Sequence, residues 1–428
     1  MALLATTPGH DLLRRFAVRA LQRAVQGRVA IGSVGGGLWH AVELRDVSIE
    51  TREGQPVIRA QRVNARFALT DLLRSRFLFS NVEVVRPVVV LEQDSSGIWN
   101  VDRVFGSSAP HTGPAGRRPL LELTGARVAD GTLIVREHKS RDSVIAREVD
   151  GLNADFVRLI LSRPDSTAIV ATLRHLAARV RNPDLVVTRA EGEAVLDGAS
   201  LRFAFTHLGL PATEASASGS VRWKGGRTRI EATATATRFA FADVRAIVPV
   251  PLPASGGGSV SLRLKLPGDG PSEVDVTEAV VHTGRSAFTG RGTLTLGGHG
   301  GASVRGLDAV LEPFDLALLG LYTDTVPVRG LVRGHVAADG PLRSLVVQAD
   351  VTWADESVPG APVNRLTGGG RVVLGGRGQV SFQAFAVRRA DVDLLTVHHF
   401  ASSVDLPGRL RAAGVLDGQW RDASFRGT

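Results

Sequence analysis

Apolar and polar residues alternate along most of the chain from Arg28 onward, and a period of two is typical of β-strands that bury one face. Turns rich in Gly, Asp-Gly and Pro-Gly separate the alternating segments at intervals of roughly 8–15 residues. Two of the clearest segments, SVSLRLKL and GTLTLGG, place on one face Val260, Leu262, Leu264, Leu266, Leu294 and Leu296. The pattern predicts an all-β protein whose strands are predominantly antiparallel.

Two segments depart from this alternation. Residues 84–91 are apolar on both faces and include Val88 and Val90. The segment TAIVATLRHLAARV (167–180) fits the period of a helix as well as that of a strand. Because its neighbours are predicted strands, we interpret this second segment as a strand.

Residues 11–26 (DLLRRFAVRALQRAVQ) have the period of an amphipathic helix, which is predicted to end at Gly27. The basic positions of this helix are Arg14, Arg15, Arg19 and Arg23. A basic amphipathic helix can lie on an anionic membrane surface, where its arginines contact headgroups. It can equally pack on the protein as a cap, and the pattern is compatible with both interpretations.

The chain is predicted to have four parts. Residues 1–27 form the basic helix, and residues 28–105 form a first β module. The segment GSSAPHTGPAGRRP (106–119) has the Gly, Ser and Pro content of a linker or long surface loop. Residues 120–428 form a long β region.

The long β region contains an internal repeat. FTGRGTLTLGGHG begins at Phe288, and the similar LTGGGRVVLGGRG begins 78 residues later at Leu366. Asp-Gly turns with the same spacing lie at 339–340 and 417–418, and an earlier copy lies at 269–270. Two markers with one spacing predict an open, elongated and twisted repeat sheet rather than a closed barrel. The last copy begins at Asp417, so we expect either a longer protein or an exposed edge strand at 417–428.

The formal net charge is +9, and nearly all of the basic residues are arginine. Such a surplus is typical of proteins that contact nucleic acid or an anionic membrane, and it also follows from Arg-rich codon usage. The arginines are spread along the chain and the five tryptophans are far apart, so nucleic-acid binding is not predicted.

The absence of cysteine excludes disulfides and zinc–thiolate sites. No apolar run reaches the ~18 residues of a membrane span, and the N-terminus lacks the apolar core of a signal peptide.

The sequence offers no constellation of catalytic residues. Nucleophile elbows, phosphate-binding loops, dinucleotide-binding glycine motifs and H-E-x-x-H are all absent. His398 and His399 are adjacent, so in a strand they would point to opposite faces and form a poor pair of metal ligands. Asp391 and Asp393 share a face but lack a companion acid or histidine. We therefore predict a protein without catalytic residues, cofactor or metal.

Residues 59–105 carry a set of marks in a fixed order. They are a strand leading into LTDLLRSR (69–76), Arg86-Pro87 at the end of the next strand, an apolar strand, an acidic turn with Gly97, and Trp99-Asn100. This segment resembles the N-terminal module of the bacterial AsmA/TamB superfamily. Residues 27–58 resemble the preceding repeat of that module, and the region from 120 onward resembles the β-repeat array of the translocation and assembly module protein TamB.

The resemblance implies a long β-sheet groove lined with apolar side chains, on the periplasmic side of the inner membrane. It implies non-enzymatic transport of phospholipid, which supports biogenesis of the outer membrane. TamB also helps to assemble outer-membrane proteins with a barrel partner in that membrane. The membrane anchor and the C-terminal domain of the family are not recognisable in this sequence, so lipid transport is the stronger expectation.

The candidate groove residues follow from the alternation and the resemblance together. They are Val88, Val90, Val260, Leu262, Leu264, Leu266, Leu294 and Leu296. These side chains could equally form an ordinary core. An alternative function is an assembly factor that pairs its edge strand 417–428 with a client strand. A third hypothesis, a glycan hydrolase, requires two facing carboxylates that the sequence does not reveal.

Overall fold

The structure is a computed structural model. It describes residues 18, 22, 26–36, 41–68, 76–94, 98–105, 120–140, 143–163, 166, 168–224, 227–248, 251–297, 301–321, 329–374, 380–400, 406–419 and 422–428. These residues form 23 β-strands, three short α-helices and a 3₁₀ helix. The predicted all-β class with predominantly antiparallel strands is therefore confirmed.

The chain divides into two compact units. Unit 1 comprises residues 1–211 and 216–226, and unit 2 comprises residues 212–215 and 227–428. The strands of unit 1 are β1 (Arg28–Gly35), β2 (Ala41–Glu50), β3 (Pro56–Phe67), β4 (Arg76–Val85), β5 (Val88–Gln93), β6 (Leu120–Ser140), β7 (Ser143–Ser162), β8 (Ile169–Arg181), β9 (Leu185–Val187), β10 (Arg189–Asp197), β11 (Ser200–Gly209) and most of β12 (Glu214–Lys224), with helix α1 (Asn100–Phe105). The ambiguous segment 167–180 is a strand, β8, as interpreted.

Strands β4 and β5 behave as one strand that is interrupted at Arg86-Pro87. Both pair antiparallel with β3 and parallel with β6. Proline has no N–H to donate, so it fits only at such an interruption. The backbone N–H of Arg86 donates to the Ala129 carbonyl (2.8 Å), and the Pro87 carbonyl accepts from the N–H of Thr132 (2.7 Å). Pairing with β6 therefore continues across the break.

The segment after β5 is held by its own side chains. The Asp94 carboxylate accepts from the N–H of Ile98 (3.0 Å) and forms an ion pair with Arg103. The amide of Asn100 is buried; it donates to the Val90 carbonyl (2.7 Å) and accepts from the N–H of Glu92 (3.0 Å). The Asn100 side chain thus fastens the start of helix α1 to strand β5.

Unit 1 contains two clusters of buried apolar side chains. The first consists of Val29, Ile31, Val34, Val57 and Val104, and the second of Ala65, Val82 and Ala126. Helix α1 contributes Val104 to the first cluster and so covers the strands that supply its other members. This part of the chain has a conventional packed core.

The predicted helix 11–26 lies almost entirely outside the described residues, and so do its four arginines. Val18 and Gln22 are described and are helical. Val18 packs against the first buried cluster, and the side-chain amide oxygen (Oε1) of Gln22 accepts from the backbone N–H of Val29 (3.1 Å). The predicted linker 106–119 also lies outside the described residues.

Unit 2 is a purely antiparallel meander. Its strands are β13 (Arg227–Ala240), β14 (Gly257–Leu266), β15 (Ser272–Thr283), β16 (Ser286–Leu296), β17 (Ser303–Asp315), β18 (Gly330–Pro341), β19 (Ser344–Asp355), β20 (Val363–Leu374), β21 (Val380–Asp393), β22 (Arg409–Gln419) and β23 (Ser424–Gly427). Each strand pairs with the next one along the chain. Helix α2 (Phe241–Val244), the 3₁₀ helix (Leu316–Leu321) and helix α3 (Leu394–Phe400) follow every fourth strand, after β13, β17 and β21.

The hydrogen bonds of unit 2 repeat with the sequence period of 78 residues. The N–H of Asp315 donates to Ser286 (2.8 Å), and the N–H of Asp393 donates to Asn364 (2.7 Å). Each of these aspartates accepts from the N–H two residues further on, at 3.0 Å. The four-strand module that ends in a helical cap is thus the structural form of the sequence repeat.

The repeat also appears at its Asp-Gly turns. Asp339 accepts from the N–H of Gly306, and Asp417 accepts from the N–H of Ala384, both at 2.6 Å. Gly306 and Ala384 both have a positive φ, of 59° and 48°. Each aspartate carboxylate therefore accepts a hydrogen bond from a backbone N–H that a β-bulge has removed from the pairing between strands.

Candidate functional site

Strand alternation in unit 2 gathers the apolar side chains on one side of the sheet, which we call the apolar face. One line of directly paired residues crosses five strands: Ala232, Leu264, Val274, Leu294 and Val304. Directly paired residues point to the same side of a sheet, so each line of pairs stays on one face. All five side chains are half-buried.

The apolar face continues from β17 to β22. A second line of paired residues runs through Ala309, Val336, Ala349, Gly368, Val387 and Gly414. A Cβ at Gly368 would lie 2.5 Å from the carbonyl oxygen of Ala386, so the strands approach too closely there for any other residue. The residues in the middle of the apolar face are therefore mostly small, and their side chains project little from the sheet.

Among the residues that the structure describes, the apolar face has no buried cluster like those of unit 1. Both such clusters of the described residues belong to unit 1. In unit 2, the buried apolar side chains are single residues such as Val281, Ala338 and Phe385. The face thus consists mainly of half-buried side chains that water or a ligand can reach.

The structure brings six of the eight predicted groove residues together. Those in β14 (Val260, Leu262, Leu264 and Leu266) and in β16 (Leu294 and Leu296) lie on the apolar face and are half-buried. Val88 and Val90 lie in unit 1, in strand β5. Val90 is only 8% exposed, whereas Val88 is half-buried. The arginines predicted to contact headgroups, Arg14, Arg15, Arg19 and Arg23, lie outside the described residues.

The opposite side of β14–β17 is polar and its charges are paired across strands. The basic residues of these four strands all form ion pairs: Arg263 with Asp275 (3.7 Å), Lys265 with Glu273 (4.0 Å), Arg305 with Glu273 (3.9 Å) and Arg291 with Asp308 (2.9 Å). Hydrogen bonds from His335 and Arg291 lower the pKa of the Asp308 carboxyl below its ordinary value. This side is therefore a solvated surface.

The described residues show no grouping that suggests a reaction centre. Within these segments, histidine, aspartate and glutamate do not gather in groups of three or more that could hold a metal ion. Asp391 and Asp393, which share a strand, are instead paired with Arg409 (2.6 and 3.9 Å). His398 and His399 are exposed at the end of helix α3 rather than in a strand.

Sequence reasoning missed two features of the site. The helical caps after β17 and β21 were not predicted, although Asp315 and Asp393 share the 78-residue spacing that identifies the repeat. The second feature is the buried amide of Asn100 in unit 1, whose role the sequence pattern does not indicate. The caps depend on Ser286 and Asn364, each 29 residues before its partner aspartate, and the role of Asn100 depends on backbone atoms of the preceding strand β5, so neither is visible in the alternation of apolar and polar residues.

Comparisons with family models, with curated proteins and with solved structures found no match. Within the described segments, no helix combines the length and the hydrophobicity that spanning a bilayer requires.

Proposed function

We propose that this protein carries phospholipid along the apolar face of unit 2, with the acyl chains against the sheet and without any chemical step. The observation that carries the proposal is the extent of that face. It runs without interruption from β13 to β22, and the described residues of unit 2 form no buried cluster that would mark it as a core. Burial of an alkyl chain is worth roughly 0.8 kcal/mol per CH₂, so a long apolar face can hold acyl chains.

The resemblance of residues 27–105 to the AsmA/TamB superfamily supports the same proposal. Within that segment, Arg86-Pro87 marks the strand interruption and Asn100 fastens helix α1 to β5, so the marks have definite structural roles. We therefore propose that the protein belongs to that superfamily and acts on the periplasmic side of the inner membrane. Transport there would supply lipid for the outer membrane.

The test is lipid analysis of the protein purified without detergent. We expect several phospholipids per chain by mass spectrometry. The combined substitution Leu262→Asp and Leu294→Asp places two charges on the apolar face and should remove most of that lipid, because a buried unpaired charge is costly.

The matched control uses the same two strands and the same new residue on the opposite side. Ser259 and Thr289 lie on that side, in β14 and β16. Ser259→Asp with Thr289→Asp should leave the lipid content unchanged. A wild-type protein that is folded by circular dichroism and carries no lipid would contradict the proposal.

A further inference from the structure

The side of β18–β23 that points away from the apolar face has an excess of arginine. In β14–β17, all four basic strand residues have a carboxylate partner. In β18–β23, only Arg365, Arg409 and Arg411 do. Five further arginines are exposed and form no ion pair with a described carboxylate; together they define the arginine face: Arg333, Arg371, Arg388, Arg389 and Arg426.

The strand register places these arginines on one side. Arg389 pairs with Thr367, whose hydroxyl bonds Asp350 on the polar side, and Arg426 pairs with Val415. Arg388 and Arg389 occupy a bulge between β21 residues that face the apolar side, so the bulge presents two adjacent guanidinium groups outward.

The carboxylates near the arginine face are already engaged. Asp350 accepts from Thr367 (2.8 Å) and is paired with Arg365 (3.5 Å). Asp391 is paired with both Arg409 (2.6 Å) and Arg411 (3.4 Å). Arg388 also acts electrostatically on Asp350, but the eight arginines on this side of β18–β23 outnumber its five aspartates, so the surface has a net positive charge.

Exposed aliphatic side chains lie among the arginines. Val363, Val346 and Val415 are 56%, 43% and 37% exposed, and the register places all three on the same side as the arginines. The tryptophan and phenylalanine side chains of the described β18–β23 residues lie on the other side, and the ring of His335 is bonded to Asp308, so this surface lacks a set of rings for base stacking. A mixture of arginine and exposed aliphatic residues is typical of surfaces that contact a bilayer interface.

We propose that the arginine face docks on the surface of a bilayer that contains anionic phospholipid. The arginines come from four different strands and do not converge on one point, which suits an array of equivalent phosphates better than one small anion. Guanidinium groups bind phosphate oxygens in bidentate fashion. The apolar face of unit 2 would then point away from that surface and remain accessible.

The test is co-sedimentation with vesicles of phosphatidylcholine, with and without phosphatidylglycerol. We expect binding only to the vesicles that contain phosphatidylglycerol, and weaker binding at high salt. The triple variant R371Q/R388Q/R389Q should bind about a hundredfold more weakly, since each arginine near an anionic surface contributes roughly a fivefold gain. The charge-preserving R371K/R388K/R389K should keep most of the binding.

The matched control is R263Q/R291Q/R305Q, which removes the same net charge from paired arginines on the same side of unit 2. It should bind within about threefold of the wild type. An equal loss of vesicle binding in both triple variants would mean that net charge alone determines binding, and it would overturn the proposal. Binding to polyglutamate or heparin but not to vesicles would overturn it in favour of another polyanion. The Leu262→Asp and Leu294→Asp variant should still bind vesicles, so docking and lipid loading can fail independently.

Discussion

Unit 1 and unit 2 are built from the same alternating strands but use their apolar sides differently. In unit 1, helix α1 and strands β1–β3 enclose a cluster that includes Ile31, Val57 and Val104, all at most 3% exposed. In unit 2, the corresponding apolar side chains are half-buried and form no such cluster among the described residues. Similar patterns of hydrophobicity therefore lead to a closed core in one unit and to an open face in the other.

This difference separates the part of the chain that contributes most to stability from the part whose apolar surface is available to a ligand. A closed core gains free energy from burial and tight packing, and it loses much when one side chain is truncated. A half-buried face gains less from each side chain but keeps apolar area available for a ligand. Truncations of the same size should therefore lower the free energy of unfolding more in unit 1 than in unit 2.

The largest expected difference is between Ile160→Ala and Leu264→Ala. Ile160 in β7 is 1% exposed, so its truncation leaves a cavity and should lower the free energy of unfolding by about 2–5 kcal/mol. Leu264 is half-buried on the apolar face, and its truncation should cost about 1 kcal/mol. Denaturant unfolding of lipid-free protein measures both values. Equal losses would show that unit 2 is packed like unit 1.

The next effect concerns the buried amide of Asn100. Asn100→Ala leaves the Val90 carbonyl and the Glu92 N–H without their partner, and should cost about 2–3 kcal/mol. Asn153 offers a matched control, since its exposed amide also makes two backbone hydrogen bonds, to Asp130 and Gly151. Asn153→Ala should cost under about 1 kcal/mol, because water replaces its bonds. A similar loss from both substitutions, measured by thermal unfolding, would argue against the proposed fastening of α1 to β5.

Much of the strand structure could be predicted from the sequence because alternation is a local property. Alternation assigns Val260, Leu262 and Leu264 to one face, and the strand register places them there. The 78-residue spacing also predicted equivalent positions, which the bonds of Asp315 and Asp393 bear out. The face predicted from alternation agrees with the face given by strand pairing where each strand pairs with the next one along the chain.

The remaining features depend on contacts between distant residues. Val90 and Leu264 are both predicted groove residues, yet Val90 is buried and Leu264 is half-buried, because coverage by another layer depends on residues outside the strand. The arginine face was missed for a related reason. Arg371, Arg389 and Arg426 are spread along the sequence, and only the pairing of β20–β23 brings them to one surface.

The smallest expected effect is the pH dependence of one ion pair beside the arginine face. A hydrogen bond from Arg409, together with the charge of Arg411, lowers the pKa of Asp391 below its ordinary value of 3.8. A lowered pKa in the folded state means that this carboxylate stabilises the protein above the unfolded pKa, and that the contribution is lost as the pH falls through the folded pKa. Asp391→Asn should therefore reduce stability at neutral pH, by a small amount because exposed pairs contribute little.

The measurement is the difference in melting temperature between wild type and Asp391→Asn across pH 2–7, a range that brackets the usual titration of aspartate. The difference should shrink as the pH falls through the lowered pKa of the folded-state Asp391 carboxyl, because the wild-type side chain then also becomes protonated. Arg409→Gln should show the same trend, since it removes the other partner of the pair. A difference that stays constant through this range would mean that Asp391 acts through packing and not through its charge. The ion pair between Arg409 and Asp391 would then make no electrostatic contribution to stability. In that respect Arg409 would not differ from the five arginines of the arginine face.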